Sequence, residues 1–304
     1  MTIAFVHNNK AFLPETEAYC RFFSALGFHC EVVNKDNVGL LHRNVEWRLM
    51  GTDLSKPKEG IIKIHEYSSS SVPPARVWKN LTKAFFNAQP DYRLFLNEYV
   101  RKSFSFYDKI PFGYRDMGVP AEWLDLPHAS SEKIYDFVYL GDMSPVREPE
   151  RLLNCFSTGI MKEHSLLLIG KNYAQLQSIY QAYPNIHFIG PIAQVLTPTW
   201  LRKARYGINF IVDKQPINKQ TSTKMLEYIA CGLPVISTKY HWVESFQKNN
   251  GGSYFWLDQD LSNFNWQQIT NFQYQSPDLS AWTWEEQIRK SGVVEFLEKM
   301  IEKV

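Results

Sequence analysis

The stretch Gln220 to Thr238, QTSTKMLEYIACGLPVIST, decides how this chain is read. Its polar opening, Gln220, Thr221, Ser222 and Thr223, supplies helix-capping residue types, and Met225, Leu226, Ile229 and Ala230 come next at helical spacing. Gly232 offers the left-handed residue that stops a helix, and Leu233 to Ile236 reads as a buried strand. A helix that opens this way turns unpaired N–H groups and its positive dipole end toward whatever precedes it, and a phosphate is the natural occupant. Glu227 stands one turn in, where a carboxylate would accept hydrogen bonds from ribose hydroxyls of the same ligand.

The same rhythm extends in both directions. Asp136 to Leu140, DFVYL, is a compact strand, followed by Gly141, a polar turn up to Arg147 and a helix from about Glu148. Arg147 at a helix start is mildly disfavoured by the dipole, so it is either a surface residue or one kept for an anion. Ser165 to Gly170 and Ile186 to Gly190 are short apolar strands separated by a polar helix, Tyr173 to Ala182, which is the alternation of a parallel sheet. Toward the N-terminus, strand Thr2 to Val6, helix Pro14 to Leu26 closed by Gly27, and strand His29 to Val33 form another βαβ unit, with a further strand from Gly60 to His65. At 304 residues and 44% hydrophobic content the chain can bury two cores. The expected fold class is therefore α/β, with two Rossmann-like βαβ domains. The boundary falls near Met117 to Lys133, around Pro120, Pro127, Ser130, Ser131 and Glu132, giving domains 1–125 and 133–281 and a terminal helical segment 282–304.

Composition excludes several function classes. A formal net charge of +2 is too small for a dedicated nucleic-acid binder. Cys20, Cys30, Cys155 and Cys231 lack the close pairing of a zinc site and fit reduced thiols in a cytoplasmic protein. The chain opens directly on a strand without a signal-peptide pattern, and no apolar run reaches the ~20 residues of a membrane span. Ala75 to Phe86, ARVWKNLTKAFF, mixes Arg76, Lys79 and Lys83 with large apolar residues; it reads as a core-packed helix with a basic edge or as a peripheral contact with the inner face of a membrane. Asp258, Gln259 and Asp260 spell a DxD triplet but lie too late in the chain to join a first-domain nucleotide site, and read as a surface loop. No nucleophile elbow and no specific glycosidase carboxylate pair is present.

Residues 220–238 resemble the donor-binding motif of the retaining, GT-B-fold glycosyltransferases, especially family 4. Glu227 takes the place of that motif's second glutamate, and Ala230, Gly232, Leu233, Pro234, Val235 and Ile236 match the motif's remaining positions; the first glutamate is replaced by Lys219. The resemblance implies that Ser222 and Thr223 hold the distal phosphate, that Gly141 opens the diphosphate turn, that Arg147 is one of a basic pair gripping the diphosphate, and that the turn from Gly190 to Ile192 meets the base. The partner of Arg147 falls on Asp142, so a second cation would come from Lys224 or Lys219. His65, ending its strand, stands where such enzymes face the donor sugar. His7, ending the first strand, stands where inverting relatives carry a general base, whereas family 4 implies retention. Asn97 to Ser103, Ile110 to Val119 and a terminal helix Glu285 to Glu302 occur in the family's order, although Asn8, Asn9, Lys10 and Ala11 replace its Gly-Gly loop. The resemblance thus implies GT-B architecture, with a cleft between the two domains and a C-terminal helix crossing back to the first. It implies a metal-independent transferase without a cofactor, using a nucleotide-diphosphate sugar as co-substrate and a glycan or lipid-linked acceptor in bacterial surface polysaccharide synthesis. Two alternatives stand beside it: a non-catalytic nucleotide-binding or partner subunit, and a nucleotide-sugar epimerase.

Overall fold

The computed structural model describes residues 1–7, 13–49, 53–56, 58–71, 76–126 and 132–302. The loop Asn8 to Ala11, Ala75, and residues 127–131 of the boundary stretch lie outside the described residues. The chain divides into two compact units, one formed by residues 1–120 together with 281 onward, the other by residues 121–280.

The first unit carries a parallel sheet of β1 (Thr2–His7), β2 (His29–Asn34), β3 (Val45–Leu49), β4 (Ile62–Tyr67), β5 (Tyr92–Phe95) and β6 (Phe112–Tyr114), in the order β2-β1-β3-β4-β5-β6. Helices α1 (Pro14–Ala25), α2 (Arg76–Phe86) and α3 (Glu98–Phe104) connect them. β3 is not foreseen by the sequence reading. It alternates apolar Val45, Trp47 and Leu49 with charged Glu46 and Arg48, a pattern that suggests one wet face, yet all five residues are buried. One face packs Trp47 against Phe5, Tyr19 and Phe23; the other buries ion pairs. Asn97 caps α3 by accepting the amide of Val100 at 3.0 Å.

The second unit holds β7 (Tyr135–Leu140), α4 (Pro149–Ser157), β8 (Leu166–Ile169), α5 (Ala174–Tyr180), β9 (Ile186–Gly190), α6 (Thr197–Leu201), β10 (Ala204–Asn209), α7 (Thr223–Ala230), β11 (Val235–Thr238), α8 (His241–Asn250), β12 (Phe255–Leu257) and α9 (Trp266–Asn271). Its six parallel strands run β12-β11-β10-β7-β8-β9. The chain steps outward from β7 to β9, then returns to lay β10 on the other side of β7. The strand order therefore reverses between β7 and β10, and in such sheets ligands bind at the carboxyl ends of the strands flanking that point.

Residues 281 onward rejoin the first unit. The single terminal helix expected over Glu285 to Glu302 is instead two, α10 (Trp284–Lys290) and α11 (Val293–Ile301). Gly292, in the left-handed conformation at φ +71, breaks the run between them. Ile288, Val293 and Leu297 then complete the core of the first unit, and the Tyr92 hydroxyl donates to the Ser291 carbonyl at 2.8 Å.

Candidate functional site

At the carboxyl ends of β7, β8 and β9 three glycines bring the backbone close. A Cβ on Gly170, at φ +150, would fall 1.8 Å from the carbonyl oxygen of Gly141. Gly141 itself, at φ +135, faces the Lys224 side chain, and Gly190 lies beneath the Tyr173 ring. Across the reversal point, β10 ends on Asn209, which is fully buried. Its amide donates to Ser237 Oγ at 2.9 Å and to the Tyr240 hydroxyl at 3.0 Å, and its Oδ1 accepts from Ser222 Oγ at 2.7 Å.

These bonds fix the start of α7. Ser222 occupies the N-cap position, but its hydroxyl donates to Asn209 instead of capping the helix. Further along, the Tyr228 hydroxyl accepts the amide of Leu140 at 2.7 Å, and its ring lies over Gly207, where a Cβ would approach it to 2.5 Å. The helix is thereby pinned to both β7 and β10. Gly232, at φ +72, ends it, with the Leu233 amide donating back to the Tyr228 carbonyl at 2.9 Å.

So positioned, α7 presents Lys224 and Glu227, both half-buried, toward the turn after β7. Lys224 Nζ sits 3.9 Å from the centre of the Tyr139 ring. Burial, and the nearby Arg147 guanidinium, push the Lys224 ammonium well below the usual lysine range, although Asp142 and Glu227 partly offset them. Burial raises the Glu227 carboxyl to about 8, against the pull of Lys224. Arg147 is half-buried and, among the described residues, has no hydrogen bond or ion pair with an acid. The acids around it are engaged elsewhere: Glu148 pairs with Arg151 and Lys214, and Asp142 accepts from Ser144 and from Asn172 at 2.6 Å. Two cations therefore face one site without a private counter-ion.

Gly141, Arg147, Gly190, Ser222, Thr223, Lys224 and Glu227 thus lie around the carboxyl edge of one sheet. Lys219 closes a short 3-10 turn, Ile217–Lys219, ahead of α7 in the same unit. His7 and His65 belong to the other unit. His7 ends β1 and lines a cavity there. His65 requires a correction: β4 runs on to Tyr67, so the ring is not at a strand end but inside the sheet, fully buried, 3.1 Å from Asp53. Burial holds it below the usual histidine range, and it cannot meet a sugar where it stands. Asn209 was missed by sequence reasoning, because its partners lie 13, 28 and 31 residues away and no local motif marks it.

Residues 135–264, which span this whole site, match the family described as glycosyl transferases group 1. No curated protein sequence matches the chain. Among solved structures, sucrose-phosphate synthase from Thermosynechococcus elongatus is similar with a TM-score of 0.61 at 10% identity, covering 100% of both chains. HepE from Anabaena, solved in complex with UDP-glucose, is similar at 0.59 and 11%, again covering 100% of both. AviGT4, a glycosyltransferase involved in avilamycin A biosynthesis, gives 0.58 at 12%, with 99% of this chain and 96% of that one covered. The two six-stranded parallel sheets are those of the GT-B fold.

Proposed function

This chain has the GT-B fold and resembles the group 1 glycosyltransferases, and from that premise we propose that it transfers a sugar from a nucleoside-diphosphate donor to a glycan or lipid-linked acceptor. The observation that carries the reading is the pair Arg147 and Lys224, two cations without a private acid partner among the described residues, beside Gly141 and the opening of α7. A diphosphate bound there raises the proton affinity of Lys224 and restores its full charge. As the glycosidic bond to the diphosphate breaks, negative charge grows on the leaving oxygens, and both cations and the helix opening stabilise it. Glu227 takes the ribose hydroxyls, as its place one turn into α7 allows. The glycines at the ends of β7, β8 and β9 let the backbone approach the phosphates and the base. HepE, at 0.59, is solved with UDP-glucose, which supports a nucleotide sugar as the donor class.

Retention of the anomeric configuration is the stereochemistry proposed, with Lys219 altering donor-sugar recognition where family 4 has a carboxylate. No step of the proposed transfer uses a metal ion. A role in bacterial surface polysaccharide synthesis is proposed on the family resemblance. Peripheral contact with the inner face of a membrane is proposed for α2, whose Val77, Trp78, Phe85 and Phe86 are 61 to 74% exposed, together with Lys79. That exposure argues against the core-packed alternative for this helix.

The test is a transfer assay with a panel of nucleoside-diphosphate sugars, run with and without mixed glycan and polyprenyl-phosphate acceptors. Acceptor-dependent release of nucleoside diphosphate, with the anomer of the product retained by NMR, is expected. Conversion of a donor without acceptor would replace transfer by epimerisation, and binding without turnover on any acceptor would favour the non-catalytic subunit.

A further inference from the structure

The first unit encloses a cavity of about 800 Å³, within the range of roughly 300–1,000 Å³ for small-ligand sites, that the donor reading does not use. Its floor is the charged face of β3 and β4. There Arg43, Arg48 and Lys63 are each at most 9% exposed, beside Glu46 and Asp53 at 3% and 0%. Arg43 donates to Glu46 at 2.8 Å, Arg48 to Glu46 at 2.7 Å, and Lys63 to Asp53 at 2.7 Å and Ser55 at 2.6 Å. Asp53 also meets Arg48 at 3.3 Å and His65 at 3.1 Å. Three buried cations thus share two buried carboxylates, which leaves one positive charge without its own acid. Burying such a surplus is costly unless an anion completes it.

The rim adds to the surplus. Lys35, Lys56 and Lys58 line the opening, exposed and without an acid partner among the described residues. The remaining carboxylate of the lining, Asp91, is occupied as acceptor of the Lys63 amide at 2.7 Å. In all, six lysines and arginines face three carboxylates. Val6, Val38, Leu49 and Ile61 supply an apolar wall beside them, so the space suits a body with both carbon and charge, not a lone ion.

We infer that this cavity binds an anionic group of the acceptor, a phosphate or a sugar carboxylate, and so selects acidic acceptors. The inference rests on the glycosyltransferase reading for the word acceptor, but the anion site itself is physically separate from Arg147 and Lys224, in another unit of the chain.

The experiment is calorimetric titration of inorganic pyrophosphate, and separately of glucuronate, into the full chain and into two variants. One combines Lys35→Ala, Lys56→Ala and Lys58→Ala, all exposed and outside the core; the other is Arg147→Ala. Two pyrophosphate sites are expected in the wild type, one weakened about tenfold or more by the triple substitution and steeply salt-dependent, the other weakened by Arg147→Ala. Glucuronate binding lost in the triple variant identifies a sugar carboxylate as the ligand; pyrophosphate alone identifies a phosphate-linked acceptor. Either supports the site. Wild-type affinity for both probes in the triple variant, with its thermal midpoint unchanged, overturns it. An Arg147→Ala variant with unaltered pyrophosphate binding would count against the donor site and leave this one standing.

Discussion

Glu227 is a carboxyl held largely out of water, and its chemistry derives from that. Its folded-state value of about 8 lies above the ordinary 4.5, so it favours the folded state fully below about pH 4.5, and that contribution is lost as pH rises through about 8. The thermal midpoint of the unliganded protein should therefore carry a decline across this window that Glu227→Gln removes, measured by differential scanning calorimetry from pH 5 to 9. In the bound state the same residue accepts ribose hydroxyls. Hydrogen bonds to a charged group contribute about 1.5–3 kcal/mol, so Glu227→Ala should weaken nucleoside-diphosphate binding by about 10- to 100-fold. Arg115 is the corresponding buried group of the first unit. It is 1% exposed, bonded to Glu66 and 3.3 Å from Glu15, while Glu66 also accepts from Tyr19 at 2.9 Å and Trp47 at 2.8 Å. Arg115→Ala leaves two carboxylates buried without their cation, and a loss of about 3–5 kcal/mol in urea unfolding is expected.

Elements show where the sequence was legible and where it was not. α7, Gly232, β7 and β9 are evident from apolar spacing and a left-handed stop, and Arg147, Lys224 and Glu227 from their offsets to those elements. β3 and β10 were not, for a physical reason in each case. Glu46 and Arg48 look like solvent-facing positions until Arg43, Lys63 and Asp53 are brought to them by the fold. β10 contains Arg205 and Gly207, and its glycine makes sense only once the Tyr228 ring of α7 is laid across it. Gly207→Ala should push that ring off its bonds to Leu140 and Ile208 and destabilise the second unit by about 1–3 kcal/mol. Chemical denaturation with nucleotide binding in parallel checks it, because displacing α7 should weaken both. His65 was misread for a related reason: strand length was judged from apolar residues, and β4 continues through the charged Glu66 to Tyr67.

On the scale of the molecule, each unit owns a core, and the chain crosses from the first to the second and back. Removing residues 281–304 strips Ile288, Val293 and Leu297 from the first core while leaving the second untouched. Loss of the first unit's cooperative transition in calorimetry, with nucleotide binding by the second retained, is the expected outcome. The central claim is the diphosphate site at the strand reversal of the second unit, and one measurement meets it directly. Calorimetric titration of UDP, GDP, CMP, dTDP and ADP into the wild type, Arg147→Ala and Glu227→Ala should find one nucleotide that binds the wild type and binds both variants at least about tenfold more weakly. Equal binding by all three proteins, or no binding of any nucleotide, would contradict it.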